Sequence, residues 1–365
     1  MFKNIFKNKK VLITGHTGFK GSWLTTWLLD LEANIVGVSK DIPTNPSMFV
    51  SLNLEDRISH YIFNITNIKK LNELIKKEKP DFIFHLAAQA IVSKSYENSI
   101  ETINSNVIGT VSILEVLKDV DWEINCIFVT SDKSYLNVEW PWGYKETDTL
   151  GGKDIYSGSK AAAEILIKTY FNSFLKFKKN IKIAVGRAGN VIGGGDWAKD
   201  RIVVDTMIAW SQGEKVELRS PYSTRPWQHV LEPLSGYLLL ASKIFNSELN
   251  GEAFNFGPNN TESNTVINLI ENLENGWPDT KIKNYKISSN TIKFDEAKLL
   301  KLNCDKALHY LKWYPSLTYD QTHKFVSQWY FKFYKTETDM LELTINQIKI
   351  YVENAKKNNL RWAKE

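Results

Sequence analysis

Tyr156 and Lys160 stand four residues apart in Tyr156-Ser157-Gly158-Ser159-Lys160, about twenty-five residues after Ser131-Asp132-Lys133. On a helix that spacing puts phenol and ammonium on one face, one above the other. A cation so placed favours the phenolate and readies it to take a hydroxyl proton. The triplet adds a hydroxyl, a carboxyl and an amine at one place, the ingredients of an acid/base cluster. The Tyr/Lys spacing alone says little, because both are common surface residues. It gains weight from a second motif near the start of the chain.

Val11, Leu12 and Ile13 make a short apolar run suited to a buried parallel strand. Gly15, Gly18 and Gly21 follow at three-residue spacing, and Trp23, Leu24, Trp27 and Leu28 then form a helical apolar stripe. Glycines at such a turn let backbone N–H groups approach a pyrophosphate at a helix N-terminus. The Gly-x-x-Gly-x-x-Gly form is the one used by short-chain dehydrogenase/reductases. Gly15, Thr17, Gly18, Phe19 and Gly21 are the cofactor-binding candidates here.

These residues need a scaffold, and the chain patterns one. Strand-like runs cover residues 11–13, 34–38, 60–63, 81–86, 124–130 and 181–185. Helical patterns cover 21–31, 68–77, 99–117 and 157–174, with Ile103, Val107, Thr110, Val111, Leu114 and Leu117 expected on one face of the third. Such alternation predicts right-handed βαβ units and an α/β fold with a doubly wound parallel sheet of the Rossmann type. After about Gly186 the alternation fades. We expect a dinucleotide-binding domain carrying the catalytic residues over 1–186 and a smaller C-terminal α/β substrate lobe over 187–337. Some lobe segments should return to the sheet. A helical extension over 338–365 shows Leu341, Ile345, Ile348 and Tyr351 at helical spacing, to pack on the body or on a partner.

Two further strand ends carry candidates. Leu86, Ala87, Ala88 and Gln89 close the fourth strand, where small residues let a dinucleotide lie across the sheet edge. Ser39 closes the second, followed by Lys40 and Asp41. An acidic residue there suits the NAD ribose and a basic one the NADP phosphate, so these neighbours pull in opposite directions.

Composition narrows the class. The 365 residues carry a formal charge of only +5, spread as scattered lysines, which argues against a nucleic-acid footprint. The two cysteines, Cys126 and Cys304, make neither a disulfide framework nor a metal site and suggest a reducing cytoplasm. No run approaches the ~18 apolar residues of a membrane span, and the start lacks the apolar run of a signal peptide.

Four stretches together resemble the CDP-glucose 4,6-dehydratases, extended short-chain dehydrogenase/reductases that modify nucleotide sugars. They are the segment from Gly15 to Trp23, Thr130-Ser131-Asp132-Lys133, the segment from Arg187 to Trp197, and the segment from Thr224 to Leu234. The resemblance implies NAD as cofactor, with NADP left open, and an internal redox cycle. In it Tyr156, held by Lys160, takes the proton of the sugar's 4-hydroxyl, Ser131 helps hold the 4-oxygen, and Asp132 is the acid for the departing 6-hydroxyl. Lys133 stands where the related dTDP-glucose enzymes have the glutamate that removes the C5 proton. A lysine serves as such a base where burial or neighbouring cations hold it neutral. Gln89, Arg187, Asn190, Arg201, Arg225 and His229 are the substrate-binding candidates, arginine's planar fork being suited to a diphosphate.

The resemblance further implies a cytoplasmic enzyme of deoxysugar synthesis for surface polysaccharides, and a homodimer paired through the long helices beside the fifth strand. Trp140, Trp142 and Trp227 suit either the core or a sugar platform. Asn64, followed by Ile65, replaces the aspartate that meets the adenine, and Phe294-Asp295-Glu296-Ala297 replaces His-Glu-Ala. These departures keep another activated hexose or heptose open. A nucleotide-sugar 4-epimerase is the competing enzyme, and Asp132-Lys133 counts against it. A cofactor-binding protein without catalysis would be expected to lack Tyr156 or Lys160.

Overall fold

The computed structural model describes residues 1–245, 247–258, 264–278, 285–287 and 299–365. The Phe294–Ala297 departure lies outside them. Strands β1 (Lys10–Thr14), β2 (Asn34–Ser39), β3 (Ser59–Ile62), β4 (Phe82–His85), β5 (Ile124–Val129) and β6 (Ile181–Arg187) join the late strand Ala253–Asn255 in one sheet. Its order is β3-β2-β1-β4-β5-β6 and then Ala253–Asn255, with every pairing parallel. This is the doubly wound α/β sheet that the alternation predicts. All of β4 and β5 is buried, as strands covered on both faces require.

Register positions the site. Thr14 lies opposite both Val38 and His85, His85 opposite Phe128, and Val129 opposite Gly186. The residues just beyond these strands therefore emerge along one sheet edge. The strand order reverses between β1 and β4, which is where ligands bind in open α/β sheets. Helix α1 (Phe19–Asp30) begins two residues earlier than the apolar stripe suggests, because Gly18 takes an extended N-cap conformation.

The 99–117 region departs from a regular helix. A π-helical turn at Asn104–Ile108 separates the helices Ser99–Ile103 and Gly109–Leu117. The wider turn shifts the face that follows it. Thr110, Leu114 and Leu117 are buried as expected, but Ile103 is turned outward and Asn106 inward.

The helix Met340–Lys357 packs against α1 and the helix Tyr319–Lys335, with Tyr351 edge-on to Trp27 at 5.7 Å between centroids. Beneath it lies the buried carboxylate of Glu232, which accepts the Ser316 N–H at 2.8 Å, the Leu317 N–H at 2.7 Å and the Tyr351 hydroxyl at 2.7 Å. Burial pushes its pKa up to about 7 against those bonds. A carboxyl raised in the folded state contributes stability that is full below its unfolded value and lost as pH rises through about 7. Glu232→Gln mimics the protonated form. Between pH 5 and 8 its melting temperature should therefore fall less than that of the wild type, and parallel curves would refute this.

Candidate active site

A cavity of about 1150 Å³ runs along the carboxyl edge of the sheet, walled on its other side by residues that follow β6. Gly15, Thr17, Gly18, Phe19 and Gly21 line its first end. Two glycines there are demanded by geometry. Gly15 has φ +77°, and a Cβ on it would stand 2.8 Å from the Ala87 nitrogen. A Cβ on Gly21 would stand 2.1 Å from the Gly15 carbonyl. The strand-to-helix turn is thus a tight cradle at the N-terminus of α1, the form that accepts a pyrophosphate. These residues fit a dinucleotide.

Ser39, Asn64, Ile65, Leu86, Ala87, Ala88 and Gln89 also line the cavity. Ser39 is engaged from two sides: its hydroxyl accepts the Thr17 N–H at 3.3 Å and bonds His16 Nδ1 at 2.9 Å. His16 Nε2 in turn meets His60 Nδ1 at 2.7 Å, and burial drives the His16 pKa down to about 3. His16 therefore stays neutral. Lys40 is ion-paired with Glu101 at 2.6 Å across the cavity. The Asn64 carbonyl oxygen accepts the Thr66 N–H at 3.1 Å. Gln89 turns its amide inward, donating to the Ile91 carbonyl at 2.9 Å and to Thr102 at 3.0 Å.

The catalytic candidates meet at the mouth of β5. Ser131 is extended and caps a short turn over Asp132–Ser134, and its hydroxyl donates to Asp132 at 2.9 Å. Asp154 caps the helix Ile155–Ser173, accepting the Ser157 N–H at 2.9 Å, and so places Tyr156 in the first turn. Ser131, Asp132, Lys133, Tyr156 and Lys160 all line the cavity. Burial raises the Tyr156 pKa to about 12, opposed by the Ser131 hydrogen bond and by the charge of Arg201. Burial also lowers the Lys160 pKa to about 8, opposed by Glu164 one helical turn on.

Gly189 makes room for the acid. A Cβ there would fall 1.9 Å from an Asp132 carboxylate oxygen. The glycine after β6 therefore lets the Asp132 carboxylate seat beside it. A residue with no obvious chemistry fixes the position of one that has it.

Asn190, Arg201 and Arg225 line the substrate side, as does Trp227. Two substrate candidates do not. Arg187 is buried behind the site, where its Nε donates to both Glu164 oxygens at 2.8 and 3.0 Å and its guanidinium lies over the Tyr135 ring at 4.7 Å. Position at the end of β6 favoured a ligand, but a buried carboxylate claims the cation first. His229 is fully buried between Trp23 and Phe325, with Nδ1 accepting the Leu231 N–H at 3.3 Å. Trp142 is exposed and Trp140 packs against it and Tyr144, away from the cavity.

Sequence reasoning missed several residues that line the cavity or stand behind it. Lys20 lines it, and burial with the nearby cations Arg201 and Lys160 lowers its pKa to about 8. Asp196 pairs with Arg201. Asn106, turned inward by the π turn, ties the Gln89 carbonyl at 3.1 Å to Ser159 at 2.9 Å. Lys20 sits inside the glycine motif and could have been read there. Asn106 gave no signal, because a π turn has no pattern of its own.

A doubly wound sheet with a glycine cradle and a Tyr/Lys pair opening on one cleft defines a short-chain dehydrogenase/reductase of the extended kind. The family model for GDP-mannose 4,6-dehydratase matches residues 12–325, and the chain belongs to that family. Within it, the chain is 40% identical over 355 residues to the CDP-glucose 4,6-dehydratase of Salmonella typhimurium, spanning 96% of this chain and 98% of that one. Solved structures share the fold. One is the dTDP-glucose 4,6-dehydratase of Bacillus anthracis in complex with NAD, with a TM-score of 0.71 at 23% identity over 89% of this chain and 97% of that one. Another is the UDP-glucose 4-epimerase of Thermotoga maritima with UDP-glucose, with a TM-score of 0.75 at 21% identity over 88% of this chain and 98% of that one.

Proposed function

We propose that this chain is an NAD-dependent hydro-lyase that converts CDP-D-glucose to CDP-4-dehydro-6-deoxy-D-glucose and water. The observation that carries the reading is the convergence of Ser131, Asp132 and Lys133 with Tyr156 and Lys160 on one cavity. An epimerase needs the last two but has no use for an acid and a base directed at C5 and C6. The 40% identity to the Salmonella enzyme over nearly the whole chain supports the nucleotide and the sugar.

The cradle of Gly15, Gly18 and Gly21 would hold NAD, which would supply a reversible acceptor for the hydrogen and electron pair exchanged with C4 and C6. Tyr156 removes the 4-hydroxyl proton, with Lys160 and the Ser131 hydroxyl favouring its phenolate. The 4-ketone acidifies C5, whose proton Lys133 takes. Asp132 protonates the 6-hydroxyl, which leaves as water. For the cofactor, the Lys40–Glu101 pair and the neighbouring Asp41 support NAD over NADP, since a 2′-phosphate would meet carboxylates at that end.

Purified protein incubated with CDP-glucose and catalytic NAD should yield a product lighter by one water, with no net NADH. Epimerisation without water loss would overturn the dehydratase reading. Lys133→Met should slow dehydration by about 10²-fold or more and suppress solvent-hydrogen exchange at C5. Full retention of both would remove Lys133 as the base.

The same reading includes a homodimer in the cytoplasm. Ile100 is 69% exposed, Ile165 53% and Phe177 71%, on or beside the adjoining helices that flank β5. Among the described residues no helix is long and apolar enough to cross a membrane. Light scattering should report twice 42.0 kDa, and a monomer at micromolar concentration would refute the pairing.

A further inference from the structure

The helix Ile202–Ser211 forms part of the substrate wall and carries a carboxylate that the dehydration chemistry does not use. Arg201 at its N-cap lies close enough to Tyr156 for their charges to interact, and it pairs with Asp196. Asp205 follows one turn later, its N–H bonded to the Arg201 carbonyl at 2.9 Å. Asp205 therefore stands about 6 Å further along the axis. Both line the cavity.

Asp205's neighbours are already occupied with each other. Asp200 accepts the Ser93 hydroxyl at 2.7 Å and stands 3.7 Å from the Arg219 guanidinium. Among the described residues the Asp205 carboxylate accepts no hydrogen bond. Burial pushes its pKa up to about 6, with Arg219 opposing. The half-buried carboxylate thus lines the cavity with its lone pairs open to a donor on a bound ligand.

With the hexose over Tyr156, a diphosphate and nucleoside running past Arg201 would reach the cavity wall that carries Asp205. We propose that Asp205 accepts a hydrogen bond from the 4-amino group of the substrate's cytosine and so selects against uracil and thymine nucleotides. This rests on the nucleotide-sugar reading of the cavity. Cytosine presents an N–H donor at position 4, and carboxylates pair with it. Uracil and thymine present a carbonyl oxygen at that position, which would face the carboxylate lone pairs. An asparagine could instead donate to that oxygen.

The test is the ratio of kcat/KM for CDP-glucose to that for UDP-glucose. Asp205→Asn should lower this ratio by about tenfold or more, within the range expected for losing one base-reading contact. Asp205→Ala should weaken CDP-glucose turnover without a gain for UDP-glucose. Thermal melts establish that both variants are folded. Should either fail to fold, inhibition of the wild type decides: CDP should inhibit about tenfold or more tightly than UDP. An unchanged ratio in folded Asp205→Asn, or equal inhibition by CDP and UDP, overturns the role of Asp205. Wild-type protein that dehydrates no nucleotide sugar would instead sink the functional reading on which the proposal rests.

Discussion

Replacing Tyr156 with phenylalanine should lower kcat for CDP-glucose by about 10²–10⁴-fold while leaving KM within a few-fold, the range for loss of a positioned acid/base group. The phenol is held from three directions. Asp154 caps its helix, Ser131 favours its ionised form, and Lys160 lies on the same helix face one turn away. Removing one oxygen leaves the ring and its packing, so the fold should be undisturbed. What goes is the acceptor for the 4-hydroxyl proton, and every later step needs the ketone it generates. The check is steady-state kinetics together with single-turnover absorbance of the reduced cofactor at 340 nm. A variant that still reduces cofactor at the wild-type rate would show that another group takes that proton.

Gly189→Ala should act at a different step, lowering water loss by about 10²-fold, the scale of a misplacement near 1 Å at a reacting centre. Its backbone is not among those with positive φ, so an alanine meets no strain of conformation there. The added methyl would instead occupy space held by the Asp132 carboxylate, 1.9 Å away. Something must move. Asp132 is buried, and the bond from Ser131 is its local tether, so a shifted carboxylate also disturbs the hydroxyl that serves Tyr156. Gly189→Ala should therefore resemble Asp132→Asn in the elimination step while melting close to the wild type. A Gly189→Ala enzyme with normal dehydration would show that Asp132 does not need its present seat.

The sheet and the outline of the site were legible in the chain itself, because both are encoded over short distances. Strand-like runs of three to seven residues announce the sheet, and each predicted strand lies within two residues of an observed one at either end. The glycine spacing is contained within seven residues, and the Tyr156/Lys160 pair within a single helical turn. Motif resemblance added the roles of Ser131, Asp132 and Lys133 as expectations.

Tertiary structure decided what depends on partners far along the chain. Arg187 faces inward because Glu164, on another element, takes its charge. His229 is enclosed by Trp23 from α1 and Phe325 from a late helix. The Asp132 carboxylate owes its seat to a missing side chain 57 residues away, and Asp205 joins the cavity only because the chain beyond β6 folds back over the sheet edge. Local periodicity can say that a residue lies on a face or at a strand end. Which side chain it meets there is set by packing and by competition among buried charges, and neither is written in the spacing of the residues themselves.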